Sequence, residues 1–199
     1  MTNTFPKKIL ITIFIVLAVA VFGILYFLNS SDHLSFMPGD ENQNIASQSG
    51  SGLPIRLKIP SIGVDAPVIY VGLAADGSVA VPSGPSETAW YQLGSRPGQE
   101  GSAVITGHFG PWQTGASSVF DNLHQLKPGD KIYVKDDRGE ELIFEVKGSR
   151  TYLPDESAPE VFNKTDGTYL NLITCSGDWL KTQKTYTERL VVFTELVEK

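Results

Sequence analysis

One cysteine occurs in the 199 residues, Cys175, within the stretch LNLITCSGDW at 170–179. A cysteine nucleophile needs thiolate character, a proton carrier and donors for a developing oxyanion. Two residues of suitable type stand at comparable points of the chain. His108 ends the apolar stretch SAVITGH, and Arg189 opens ERLVVFTELV. Thirteen residues separate Cys175 from Arg189. If their strands pair antiparallel, the end of one and the start of the next share a sheet edge. Nucleophilic catalysis by Cys175, with His108 and Arg189 on the same rim, is then available to the fold.

Each residue also has a plainer reading. A free cysteine is often a small buried hydrophobe. A histidine in a Gly-rich loop can cap a turn, and Arg189 can pair with Glu188. Against the plainer reading, an extracytoplasmic domain normally uses cysteine in disulfides, and Cys175 has no partner in the chain. It also sits at the end of an apolar run, just before SGD, and strand ends feed the loops that carry chemistry.

The elements that must position these residues read as mostly β. Apolar and β-branched runs bounded by Gly, Pro and Asp occur at 55–59, 66–72, 77–82, 102–108, 131–136, 140–152, 168–175 and 188–197. Roughly eight strands at this spacing indicate a sandwich or barrel. Two short helical patches are expected, at 117–126 and 158–163. In the first, Val119, Leu123 and Leu126 fall on one face. No repeat, GxGxxG or P-loop pattern occurs. The net charge of −6 lacks a basic cluster and argues against a nucleic-acid binder. With no CxxC pair and three histidines, a structural zinc site is not expected.

The N-terminal part has a different character. Residues 9–28, ILITIFIVLAVAVFGILYFL, are uncharged and mostly apolar. As a helix they span about 30 Å, the thickness of a bilayer core. Lys7 and Lys8 precede them, and the first acidic residue is Asp32. The positive-inside rule puts residues 1–8 in the cytoplasm and the rest outside. A cleaved signal peptide is the competing reading, but its apolar region is shorter and LYFLNSSDH is a poor cleavage site. Residues 29–52 are rich in Ser, Asn, Asp and Gly and read as a flexible tether that includes His33. Residues 53–199 form the extracytoplasmic domain. Beyond the helix, 14 basic residues face 22 acidic ones, a net −8.

Several stretches of 54–199 resemble the sortases, membrane-anchored cysteine transpeptidases of mainly Gram-positive bacteria. AVITGH is similar to the sortase histidine motif, and LNLITC to the TLxTC signature with Asn171 where Thr is usual. ERLVVFTEL is similar to the strand that carries the sortase arginine. IPSIGVDAPVI and VFDNLHQLKPGDKIYV resemble other parts of that domain. The short TGHF segment and the lack of long insertions resemble the compact class E and class F groups.

The resemblance implies an eight-stranded β-barrel with short helices, preceded by one transmembrane helix. It implies Cys175 as nucleophile, His108 as proton-transfer residue and Arg189 as transition-state stabiliser, with His124 given no catalytic duty. Thr174 corresponds to the motif threonine and helps to place substrate. A backbone N–H near Cys175 or Ser176 joins Arg189 at the oxyanion. The implied reaction cleaves an LPxTG-like signal between Thr and Gly through a thioester. It then transfers the acyl group to an amine of a wall precursor or a pilin. No cofactor is implied. Some sortases bind calcium, but no carboxylate cluster is assigned to it here. The segments 152–167 and 176–188 correspond to substrate-contact loops, and Trp179 either walls the groove or packs within its loop. Trp90 and Trp112 receive no role beyond packing.

Two other functions fit the same features. A cysteine hydrolase would use the same three residues, with water in place of the amine. A non-catalytic, membrane-tethered β-barrel binding domain would leave those residues as coincidence. An L,D-transpeptidase is set aside because ITCSG lacks the SHGC-like histidine.

Overall fold

The computed structural model describes residues 51–112 and 115–198. The expected membrane helix at 9–28 and the tether up to residue 50 lie outside the described residues. Eight strands run in chain order: β1 (Pro54–Ile59), β2 (Val64–Val71), β3 (Thr88–Tyr91), β4 (Gly101–Gly107), β5 (Lys131–Asp136), β6 (Glu141–Tyr152), β7 (Thr168–Leu180) and β8 (Thr185–Glu198). They close into a barrel in the order β1-β2-β3-β4-β7-β8-β6-β5. The β2–β3 and β4–β7 pairs are parallel, and the rest are antiparallel. Closure leaves no free edge, which suits a small all-β domain.

Alternation along each strand sets what faces inward. Leu57, Ile105, Phe144, Leu170, Leu172 and Val192 fill the barrel interior and are fully buried. Each such side chain contributes about 1.5–3 kcal/mol through removal from water. A second, smaller apolar cluster lies on the outer face of β4, β7 and β8. It holds Val104, Tyr152, Val161 and Val191, with Ile173 and Phe193 packed against it. A short helix, α1 (Pro159–Phe162), supplies Val161 to this cluster. Asn171, the departure noted in the motif, anchors α1. It is 1% exposed, and its Nδ2 donates to the Val161 carbonyl at 2.6 Å.

Three expectations change. Residues 77–82 make no strand, only the bridge Leu73↔Val79. Asp76 accepts both the Ser78 N–H and its hydroxyl, which closes a tight turn at that point. The strand that pairs with β2 is instead TAWY at 88–91, too short to display a period. The helix expected at 117–126 shrinks to a 3-10 turn, Leu123–Gln125. The Phe120 N–H goes to the His108 carbonyl, and Asp121 accepts the N–H groups of Ser118 and Gly110. Tertiary partners therefore replace the helical ladder. Lastly, Ser51 and Gly52 belong to the domain rather than to the tether. Both are buried, and the Gly52 N–H donates to the Asp136 carboxylate at 2.9 Å.

Candidate active site

The β4–β7 ladder runs in register from Gly101↔Thr168 to Thr106↔Ile173, an offset of 67 residues. His108 and Cys175 are also 67 residues apart; the paired ladder stops two residues short of them, and the Thr174 hydroxyl bond to the Gly107 carbonyl links the two chains one residue before both. On the other flank Cys175 pairs directly with Arg189 of β8. Cys175 and Arg189 thus pair across β7 and β8, and His108, one residue past the end of β4 on the other flank of β7, completes the row. Alternation puts Cys175 on the face of Ile173 and Arg189 on that of Val191. The row therefore continues the outer apolar cluster rather than entering the barrel interior.

Cys175 is not at a strand end, as the sequence suggests. β7 continues to Leu180 and β8 begins at Thr185, so most of the expected 176–188 loop is a β-hairpin. Its ladder breaks between Ser176 and Trp179. Gly177 there adopts φ +77°, and a side chain on it would collide with Thr187. The nucleophile therefore sits beside a bulge within a continuous strand, a common way to aim a side chain.

Three groups fix the histidine. His108 Nε2 lies 2.7 Å from the Pro82 carbonyl oxygen. A carbonyl only accepts, so Nε2 carries the proton, and Nδ1 is the nitrogen left for proton transfer. The Trp112 ring lies over the imidazole, with centroids 4.8 Å apart. The Thr106 hydroxyl donates to the Ala80 carbonyl at 3.3 Å, which steadies the segment leading to Pro82. Thr174 is 4% exposed, and its hydroxyl donates to the Gly107 carbonyl at 2.8 Å. It ties β7 to β4 one residue before both Cys175 and His108.

Arg189 is held by its own strand. Nη1 donates to the carbonyls of Tyr186 and Glu188 at 3.1 and 2.8 Å, and Nη2 donates to the Thr185 hydroxyl at 3.1 Å. Of five N–H donors, the one on Nε and one on Nη2 have no partner among the described residues. Burial pushes the Cys175 thiol pKa up, and the nearby Arg189 charge opposes that shift. Burial is the larger effect.

The remaining expected site residues are dispersed. The Ser176 hydroxyl is buried and has no hydrogen-bond partner among the described residues. Alternation turns it to the face opposite Cys175. Trp179 is 50% exposed on the hairpin and meets Tyr186 edge-on at 5.0 Å. His124 is exposed on the 3-10 turn, with Nδ1 3.1 Å from the Asp121 carbonyl oxygen. Trp90 packs in the core, whereas Trp112 belongs to the histidine's surroundings. Pro82, Trp112 and Tyr186 went unread as site residues in the sequence. Only the closeness of Trp112 to His108 in the chain was a usable signal. Among the described residues no group of three or more His, Cys, Asp or Glu side chains is gathered to hold a metal.

Residues 57–197 match the family model described as the sortase domain. Sortase C-1 from Actinomyces oris shares 30% identity over 73% of this chain and 76% of that one, with a TM-score of 0.57. Pilus island 1 sortase C2 from group B Streptococcus shares 25% identity over 72% and 73%, with a TM-score of 0.55. Sortase C from Clostridium perfringens SM101 shares 24% identity over 75% and 72%, with a TM-score of 0.54. No curated protein matches the chain.

Proposed function

Since the chain belongs to the sortase family, we propose that it is a cysteine transpeptidase acting on an LPxTG-like sorting signal. The observation that carries this reading is the row of His108, Cys175 and Arg189 on adjacent strand paths. In the first half-reaction Cys175 Sγ attacks the Thr carbonyl carbon, and His108 Nδ1 takes the thiol proton. The carbonyl oxygen becomes an oxyanion facing the free N–H groups of Arg189 and a backbone N–H at Cys175 or Ser176. Each such donor is worth roughly 10²–10³ in rate. The Thr–Gly C–N bond then breaks, His108 returns the proton to the departing amine, and a thioester remains. In the second half-reaction an amine attacks the thioester, His108 Nδ1 takes the amine proton and passes it to the departing Cys175 Sγ, and the C–S bond breaks to leave the amide and the free thiol. The amine belongs to a wall precursor or a pilin lysine. No cofactor enters either step.

The test is intact-mass analysis of the full-length chain with an LPxTG peptide. Wild type should gain the acyl mass and release the Gly-containing fragment. Cys175→Ala should gain nothing, and His108→Ala should be nearly inactive while His124→Ala stays active. An active Cys175→Ala protein removes the mechanism. Release of free acid alone, in the presence of di-alanine, penta-glycine and lysine amines, assigns the hydrolase instead.

We also propose that residues 9–28 span the cell membrane with Lys7 and Lys8 inside and the barrel outside. Protease added to intact protoplasts should digest the barrel. Protection until lysis reverses the orientation.

A further inference from the structure

Tyr186 takes part in no step above, yet it touches the surroundings of all three residues in the row. It stands on β8 three residues before Arg189, and its carbonyl accepts Arg189 Nη1 at 3.1 Å. Its ring meets Phe109, the residue after His108, edge-on at 5.3 Å. Its hydroxyl rests against Gly110, where any side chain would collide with it, and Gly110 holds φ +86°. The phenol pKa is raised, by burial first and then by the charges of Cys175 and Asp121, so the ring lies within electrostatic reach of the nucleophile.

The histidine needs such a contact. The paired part of the β4–β7 ladder ends at Thr106↔Ile173, and the Thr174–Gly107 hydrogen bond is the next link. From His108 onward the chain is a loop. Its bonds Phe120 N–H to His108 O and Gly110 N–H to Asp121 Oδ1 tie the loop to itself, and His108 Nε2 ties it to the Pro82 carbonyl. They do not tie it to the hairpin that carries Cys175 and Arg189. Tyr186 makes that connection, with ring on Phe109, hydroxyl on Gly110 and main chain on Arg189. Trp179 also meets the Tyr186 ring edge-on, at 5.0 Å.

We infer that Tyr186 is a positioning residue that clamps the His108 loop to the β7–β8 hairpin and so holds His108 in line with Cys175 and Arg189. The inference rests on the catalytic roles proposed above. Because proton transfer demands close registry, loosening the loop should slow the chemical step more than it weakens peptide binding.

The experiment compares full-length wild type with Tyr186→Ala, Tyr186→Phe and Phe109→Ala. It measures kcat and KM for acyl transfer from an LPxTG peptide, and amide hydrogen exchange residue by residue. Tyr186→Ala should lower kcat about tenfold or more, with KM changed by less than about twofold. Exchange at the Gly110 amide should quicken about tenfold while the core amides of Ile132 and Phe144 keep their wild-type rates. Tyr186→Phe keeps the ring on Phe109 but loses the hydroxyl against Gly110, so both readouts should fall between wild type and Tyr186→Ala. Phe109→Ala should reproduce the faster Gly110 exchange, and it decides the matter if Tyr186→Ala also loosens the core amides. Unchanged Gly110 exchange overturns the clamp. So does a loss confined to KM, or a Phe variant as impaired as the Ala variant. A wild-type chain that turns over no peptide counts against the proposed function alone, because the exchange measurement still reads the clamp.

Discussion

Cys175 combines two opposed influences, and their balance is testable. Burial raises its pKa, and Arg189 beside it in the row lowers it. A raised pKa leaves less thiolate at neutral pH, so alkylation by iodoacetamide should keep climbing into a higher pH range than for a free cysteine. Arg189→Gln removes the opposing charge. Its alkylation profile should move to still higher pH, and a shift to lower pH would show that the guanidinium does not act on the thiol. Replacement by lysine asks a different question. The guanidinium is fixed by three acceptors, on Tyr186, Glu188 and Thr185. An ammonium on a flexible stem cannot bridge those and still present donors to substrate. Arg189→Lys should therefore slow single-turnover acylation by roughly 10²-fold, the cost of one misplaced oxyanion donor. Its melting midpoint should move little. A lysine variant that acylates within a few-fold of wild type removes Arg189 from the catalytic set.

Among the elements, the β7–β8 hairpin carries two of the three site residues, and its bulge sets their aim. Gly177 occupies a left-handed conformation beside the Thr187 and Glu188 side chains. Gly177→Ala adds both backbone strain and a collision. It should destabilise the domain by about 1–3 kcal/mol, read from urea unfolding. It should also reduce acylation in the fraction that remains folded, because the Cys175↔Arg189 register lies next to the bulge. A variant that loses stability with unchanged acylation would separate the bulge from the site. The β5–β6 turn has the complementary, purely structural part. Asp136 is 1% exposed, and its carboxylate accepts the N–H groups of Gly52, Arg138 and Glu140. Asp136→Ala leaves those donors unpaired and should cost about 2 kcal/mol or more in the same measurement, with acylation by the folded protein intact. Equal losses of rate and stability would argue against that division.

For the whole molecule, the carboxylates predict how stability depends on pH. Glu145 is lowered to about 2 by its hydrogen bonds to Lys131 and Lys147. The hydrogen bond from Arg56 lowers Asp65, those from Ser78 lower Asp76, and that from Tyr169 lowers Asp166. A carboxyl whose folded pKa is depressed favours the folded state above its unfolded value, and that contribution disappears as pH falls through the folded value. Asp65, Asp76 and Asp166 are exposed and Glu145 is half-buried at the surface, so each contribution is small, but all have the same sign. The melting midpoint should be flat between about pH 5 and 7 and fall progressively from about pH 4 toward pH 2, followed by circular dichroism. A midpoint that rises on acidification would contradict the assigned pairs.

Much of the site was legible in the sequence because it depends on residue type and on order along the chain. An unpaired cysteine, a histidine and an arginine at strand-like boundaries were visible as such. The 67-residue spacing of His108 and Cys175 was visible too, although only the parallel ladder gave it meaning as a register. The alternating and β-branched runs located seven of the eight strands, since burial of one face leaves a period in the sequence. What they could not supply was length and partnership. β7 and β8 run through SGDWL and TYT because the two segments satisfy each other's main chain, a cooperative gain that neither shows alone. β3 is four residues long and exists because β2 and β4 flank it. The orientation of His108 depends on the carbonyl of Pro82, 26 residues away. Every residue has a carbonyl, so no pattern of side chains marks the one that will be used. The same holds for Tyr186 against Gly110, a contact between a loop and a hairpin that meet only when the barrel closes. Residue chemistry was therefore written in the chain, whereas aim and registry were decided by long-range contacts, whose geometry local sequence does not encode.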